Sequence, residues 1–210
     1  MIYNILPTPI YITKLENYPK SEMIAALEVL MQKNQNEEDP ASTFGDVFDI
    51  EQVHNLPEFE FLNNAISAHS MQYLTYLERD KDVKFNIYAQ KSWSVHLTQG
   101  GEVCPHQHLN GAISCVFYIS LPEGCNTGVT FTNLDNAINT LPLPCSGDPR
   151  MDQINIEEGM LVFFPSALHH GTNTINQSVE PRISVSYDLS VTTDHPYENA
   201  TLDVSRWKRL

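Results

Sequence analysis

Two hydrophobic periods divide this chain. After Pro19-Lys20-Ser21, the apolar residues Met23, Ile24, Leu27, Leu30 and Met31 recur at spacings of three and four, which predicts a helix with one apolar face. The polar run from Asn34 to Pro40 ends it. Pro57 opens a second helical stretch, in which Phe61, Leu62, Ile66, Met71, Tyr73, Leu74 and Leu77 form a broad apolar side. Core packing accounts for both faces, and His69 on the second is expected to be a packed or surface histidine rather than a ligand. Ahead of the helices, Met1 to Ile12 reads as extended chain with prolines suited to an edge.

From Val83 the period shortens. Phe85 to Tyr88 and Lys91 to Leu97 alternate, and Gln99-Gly100-Gly101-Glu102 reads as a turn. Ala112 to Ser120 is a nearly continuous apolar run, expected for a strand buried on both faces. Val129 to Phe131, Met160 to Phe164 and Arg182 to Leu189 add further strands. Asn133 to Asp152, rich in Asn, Pro and Gly, reads as a long loop of the kind used for lids or binding. Two helices followed by many short strands predict a mainly β, α+β chain, its helices packed outside a double-sheet jelly-roll barrel.

Length and charge narrow the picture. At 210 residues and 41% hydrophobic content, one domain spanning 1–210 is expected. It divides into a strand and packing helices in 1–82, a barrel core in 83–190 and a tail in 191–210. The formal charge of −14 disfavours duplex nucleic acid as a partner, since phosphates reward basic patches. Cys104, Cys115, Cys125 and Cys145 have neither CxxC spacing nor a disulfide framework. There is no signal-peptide core and no apolar run of membrane-spanning length, so a reducing cytoplasmic setting without a membrane is expected.

The chemistry concentrates between Cys104 and Ser186. His106 and His108 are two apart, so in a strand they project to one side and can reach one metal ion. His169-His170 follows Phe164-Pro165-Ser166, and in extended chain only one of the two can face inward. Arg182, Ser184 and Ser186 alternate with Ile183, Val185 and Tyr187, so an arginine and a hydroxyl share one face. Separately, each has a plainer reading as a loop-end pair or a polar edge. Together, three imidazoles and an arginine suit an iron site with open positions and a fixed cation for a dicarboxylate co-substrate.

These residues carry a resemblance. Ser92-Trp93, His106-Gln107-His108, Ser114 to Tyr118, Phe164-Pro165-Ser166 and Arg182-Ile183-Ser184, with Leu6-Pro7-Thr8-Pro9-Ile10 at the N-terminus, resemble the iron(II)- and 2-oxoglutarate-dependent oxygenases. The similarity is to the short 2OG-Fe(II) oxygenases of marine bacteria and phages, and covers most of residues 85 to 190. It implies a double-stranded β-helix (jelly-roll) core with Fe(II) on His106, His108 and His170. It further implies 2-oxoglutarate as co-substrate, with Arg182 and Ser184 on its far carboxylate and Tyr118 leaning toward the same pocket. No catalytic residue beyond the metal ligands is implied. The implied activity is hydroxylation of a small molecule or a protein side chain, with release of succinate and CO2, in the cytoplasm (the host's, if phage-encoded). Trp93, His96 and the 133–152 loop are expected as substrate walls, with core packing the plainer reading for an aromatic as large as Trp93. His108 stands where the superfamily commonly has Asp or Glu, so either three neutral imidazoles hold the metal or a carboxylate such as Glu102 or Asp135 reaches in. A three-histidine dioxygenase without 2-oxoglutarate, and a non-catalytic jelly-roll binding or virion protein, are the competing readings.

Overall fold

The computed structural model describes residues 8–33, 41–44, 52–77, 84–125, 127–132, 151–172 and 174–193. The expectations for Met1 to Pro7, for Asn133 to Arg150, for Cys145 and for the tail beyond 193 fall outside them.

Helix α1 spans Lys20–Lys33. Pro19 precedes its first turn, where a missing N–H costs nothing, and Glu22 lies where the helix dipole favours an acid. Met23, Leu27 and Leu30 are its buried stripe. Helix α2 spans Glu60–Leu77 behind a 3-10 turn at Pro57–Phe59. It buries Leu62, Ile66, Ser70 and Tyr73. Phe61 and Leu77, expected on the apolar side, are exposed. His69 accepts or donates at Nδ1 to the Tyr11 hydroxyl at 2.9 Å, a half-buried surface contact in keeping with the bland expectation.

Nine strands follow the shorter period among the described residues: β1 Tyr11–Lys14, β2 Ala41–Phe44, β3 Phe85–Leu97, β4 Ile113–Ser120, β5 Val129–Thr132, β6 Met151–Ile154, β7 Met160–Pro165, β8 His169–Thr172 and β9 Arg182–Thr193. They form two antiparallel sheets, ordered β1-β7-β4-β9-β3-β2 and β6-β5-β8. This is a jelly-roll core whose sheets do not close. The two runs expected at 85–88 and 91–97 are one strand, interrupted only by a bulge between Ala89 and Lys91. β9 runs to Thr193, three residues into the expected tail.

Alternation sorts the six-stranded sheet. Ile113, Cys115, Phe117 and Ile119 of β4, Leu161 and Phe163 of β7, and Ile183, Val185, Tyr187 and Leu189 of β9 turn outward and form one core with the helices. Tyr118, Val162 and Phe164 turn inward and meet Val129 and Phe131 of the small sheet. β4 is therefore buried on both faces, as its unbroken apolar run requires. No helix among the described residues is long and apolar enough to cross a membrane.

His96 lies on the face of β3 turned away from the small sheet and is almost fully buried. Burial lowers its pKa to about 4. Unfolded histidine titrates near about 6.5, so above that pH both states are neutral and His96 contributes its full stability. As pH falls from there to about 4, the unfolded chain takes up the proton first and stability is lost, by about 3 kcal/mol at most. Denaturation of the metal-free chain should therefore come earlier at about pH 5 than at about pH 7.5. His96→Gln should flatten that slope; an unaltered slope removes His96 from the account.

Candidate metal centre

Three imidazoles meet at one end of the space between the sheets. His106 and His108 come from the segment between β3 and β4, and His170 from β8. The first two do not lie in a strand, as their spacing suggests, but in irregular chain tied to β8. His106 N–H donates to His170 O and His170 N–H to His106 O, each at 2.9 Å. Thr172 N–H donates to Val103 O at 3.0 Å, and Val103 N–H to Thr172 Oγ1 at 3.0 Å. Gly171 permits this approach, because a Cβ there would lie 2.7 Å from Val103 O. His108 N–H donates to Ser166 O at 2.8 Å. β8 thus serves as the template that fixes a segment with no period of its own.

Each ring is also oriented. His106 Nδ1 lies 2.9 Å from Cys104 O, and His170 Nδ1 lies 2.8 Å from Leu168 O. His108 Nδ1 lies 2.6 Å from Asp188 Oδ1. A carbonyl or a carboxylate can only accept, so all three rings carry their proton on Nδ1 and keep a lone pair on Nε2. The ring centroids are 4.4 to 5.0 Å apart. Their ligand-capable nitrogens all lie within 4.8 Å of one another. Two metal–nitrogen bonds of roughly 2.1 Å span up to about 4.2 Å, so small ring rotations bring the three onto one ion. Burial lowers the His170 pKa to about 4 and holds His106 below the usual histidine value, which keeps both neutral, the form that ligates. Phe164 packs on His170 at 4.5 Å and the Trp93 ring stands edge-on to His108 at 5.2 Å.

Behind the histidines opens a cavity of about 360 Å³, walled by β3, β4 and β9 on one side and by β5 and β8 on the other. Strand register stacks its wall in rows: Trp93, Ser186 and Val116, then Val95, Ser184 and Tyr118, then Arg182. Arg182 is 4% exposed. Its Nη1 donates to Thr127 Oγ1 at 3.3 Å, its Cζ sits 5.5 Å from the Tyr118 ring, and its Nε has no partner. No ion pair joins it to an acid among the described residues. Burial lowers the guanidinium pKa, yet the group stays charged. Burial pushes the Tyr118 phenol up, against the pull of Arg182, so Tyr118 remains an O–H donor.

The structure gathers His106, His108, His170, Arg182, Ser184 and Tyr118 around one cavity. Of the adjacent pair, His170 faces inward and His169 stays outside the group. Trp93 is a wall, but His96 is not: three residues apart on one strand, they point to opposite faces. Glu102 lines the cavity yet is exposed and does not join the histidines, and Asp135 is outside the described residues. The carboxylate that does reach the site, through His108, is Asp188, which is not among the residues expected from the sequence. Its signal was present, since the period Arg182, Ser184, Ser186 continues to 188.

Residues 91–188 match the model of a family described as "Putative 2OG-Fe(II) oxygenase". No curated protein has a significantly similar sequence. Among solved structures, HygX from Streptomyces hygroscopicus with nickel and 2-oxoglutarate bound is similar at a TM-score of 0.59 and 10% identity, over 87% of this chain and 82% of that one. AviO1 from Streptomyces viridochromogenes Tue57 gives 0.52 and 14%, over 86% and 90%. An oxidoreductase of the 2OG-Fe(II) oxygenase family from Burkholderia pseudomallei gives 0.50 and 12%, over 85% and 84%. At such identities these likenesses concern the fold.

One divalent transition-metal ion per chain is expected on this centre. Alanine at His106, His108 or His170 should cut metal content sharply, while His169→Ala should change it little. Equal metal content in all four variants, measured on folded protein, would remove the three histidines as ligands.

Proposed function

From a core that belongs to the 2OG-Fe(II) oxygenase superfamily, we propose that the chain is a hydroxylase that uses Fe(II) and 2-oxoglutarate. One observation carries the reading: three Nε2 lone pairs converge at one end of a cavity whose other end holds a buried guanidinium with no acidic partner among the described residues. A buried cation left that way is costly, and an incoming carboxylate relieves it.

His106, His108 and His170 would hold the iron. Arg182 would receive the far carboxylate of 2-oxoglutarate, with Ser184 beside it and the Tyr118 hydroxyl available as a donor. Bound Fe(II) supplies the redox chemistry that couples decarboxylation of 2-oxoglutarate by O2, giving succinate and CO2, to insertion of one oxygen atom into a substrate C–H bond. The chain's own share is to bind, orient and exclude water. Phe164 and Phe131 keep the His170 side dry. Trp93, Val95 and Val116 form an apolar wall where a substrate would lie. The HygX structure, with nickel and 2-oxoglutarate, supports the pairing of metal and co-substrate on this fold. Arg182 speaks against a three-histidine dioxygenase that needs no 2-oxoglutarate. A small molecule or a protein side chain is the proposed substrate, since net acidity argues against a duplex nucleic acid. The free thiols of Cys104, Cys115 and Cys125 support a reducing cytoplasmic setting.

Anaerobic titration with Fe(II) and 2-oxoglutarate should develop the weak visible charge-transfer band of the chelate. Arg182→Ala should weaken 2-oxoglutarate binding and leave metal content intact. Loss of one partner of a buried charge pair costs about 2–5 kcal/mol, hence tens- to thousands-fold in affinity. Undiminished affinity in that variant refutes the role of Arg182. Aerobic consumption of O2 without succinate would sink the hydroxylase reading itself.

A further inference from the structure

We infer that Asp188 is the positioning residue of the metal centre: it fixes His108 with Nε2 turned toward His106 and His170, and restores just behind the ring the negative charge that three imidazoles lack. The inference rests on the metal reading of the site given above.

The carboxylate is built in. Asp188 is 6% exposed, on the same face of β9 as Arg182, Ser184 and Ser186. Its Oδ1 takes the His108 Nδ1 proton at 2.6 Å and lies 2.7 Å from Ser114 Oγ. Ser114 stands directly across from it in the β4–β9 register. Ser114 Oγ is also 2.9 Å from Ser166 Oγ. A hydroxyl has one proton, and the carboxylate cannot donate; Ser114 therefore gives its proton to Asp188 and accepts one from Ser166. Gly111 closes the network from above, where a Cβ would lie 2.7 Å from Ser166 Oγ and 3.4 Å from Asp188 Cβ. The whole arrangement leaves the carboxylate one ring to hold.

A buried carboxylate needs compensation. The basic residue opposite Asp188 in the β3–β9 register is Lys91, whose Nζ instead sits over the Trp93 ring, 4.6 Å from its centroid. No lysine or arginine pairs with Asp188 among the described residues. Its partners are two hydroxyl-bearing or imidazole groups: Ser114 and His108. A divalent ion on the far side of the His108 ring supplies the missing positive charge. In return, the carboxylate makes that imidazole a more basic ligand and fixes its tautomer. Two imidazoles and a carboxylate bring one negative charge to a metal directly. Here His108 occupies the third position and Asp188 brings the same charge through it.

The test uses the full chain. Nitrogen-15 imidazole spectra of the metal-free protein read the His108 tautomer; Co(II) titration reads affinity; thermal melting reads folding. In wild type His108 should be the Nδ1–H tautomer. Asp188→Ala should give a tautomer mixture and Co(II) binding about 10- to 100-fold weaker. Asp188→Asn, which keeps an acceptor without the charge, should retain the tautomer and fall between the two in affinity. Wild-type affinity in folded Asp188→Ala, or in Asp188→Asn should the alanine variant not fold, overturns the role of Asp188. A wild type that binds no Co(II) or Fe(II) overturns the metal reading, and with it this inference.

Discussion

β9 lies between β4 and β3, and its two-residue period has to satisfy two incompatible neighbourhoods at once. Ile183, Val185, Tyr187 and Leu189 face the helices; of the other face, Arg182, Ser184 and Ser186 line the cavity and Asp188 meets His108 and Ser114. A buried polar group without a partner costs about 1–3 kcal/mol, and a charged one more. Each large apolar side chain buried on the outer face contributes about 1.5–3 kcal/mol. The two sums are comparable, so the outer core can carry a polar inner row only if most of that row is hydrogen-bonded. It is bonded at the Asp188 end, through His108 and Ser114, and least well at the Arg182 end, where Nε has no partner. That asymmetry marks where a ligand is needed. α1 and α2 therefore belong to the function: they stabilise a strand whose inner face would otherwise be too costly to bury.

The metal centre shows the same economy in backbone. His106 and His108 lie in chain with no regular structure, and their placement depends on the backbone bridge between His106 and His170. One short strand, β8, both contributes His170 and templates the segment that carries the other two. β8 ties His106 to His170, while His108 is held by Ser166 O and by Asp188 of β9, so the three imidazoles meet only when the two sheets keep their spacing.

Sequence made parts of this legible for physical reasons. The helix stripes and the alternation in β4 and β9 are periodic and long, so their buried faces could be assigned. His106, His108, Arg182 and Ser184 combine a rare residue type with a period of two. Strands of four residues such as β2, β6 and β8 hold too few positions to display a period, and they were not anticipated. The choice between His169 and His170 could not be made from spacing alone, because it depends on how β8 pairs with β5 and with His106. His96 cannot share a wall with Trp93, because it is an odd number of residues away and a strand cannot turn both to one side. Asp188 is not legible in the sequence although parity supports it, because its role arises from Ser114 and His108, which are distant in sequence and adjacent only after folding.

Charge placement ties these pieces together. The chain is strongly acidic overall, yet the cavity has a fixed cation, Arg182, at one end and the three imidazoles at the other, with the Asp188 carboxylate behind the His108 ring. With a divalent ion held by the three imidazoles that end would be positive, and the cavity would present two cationic poles with an apolar wall of Trp93, Val95 and Val116 between them. A dicarboxylate fits both poles at once; a monocarboxylate leaves Arg182 or the metal without its partner, and a neutral molecule leaves both. The metal-free cavity has only one such pole, which predisposes the site to ordered filling, metal first and dianion second. In that order Asp188 is compensated by the ion before Arg182 is compensated by the acid, and neither buried charge is left alone in the filled site.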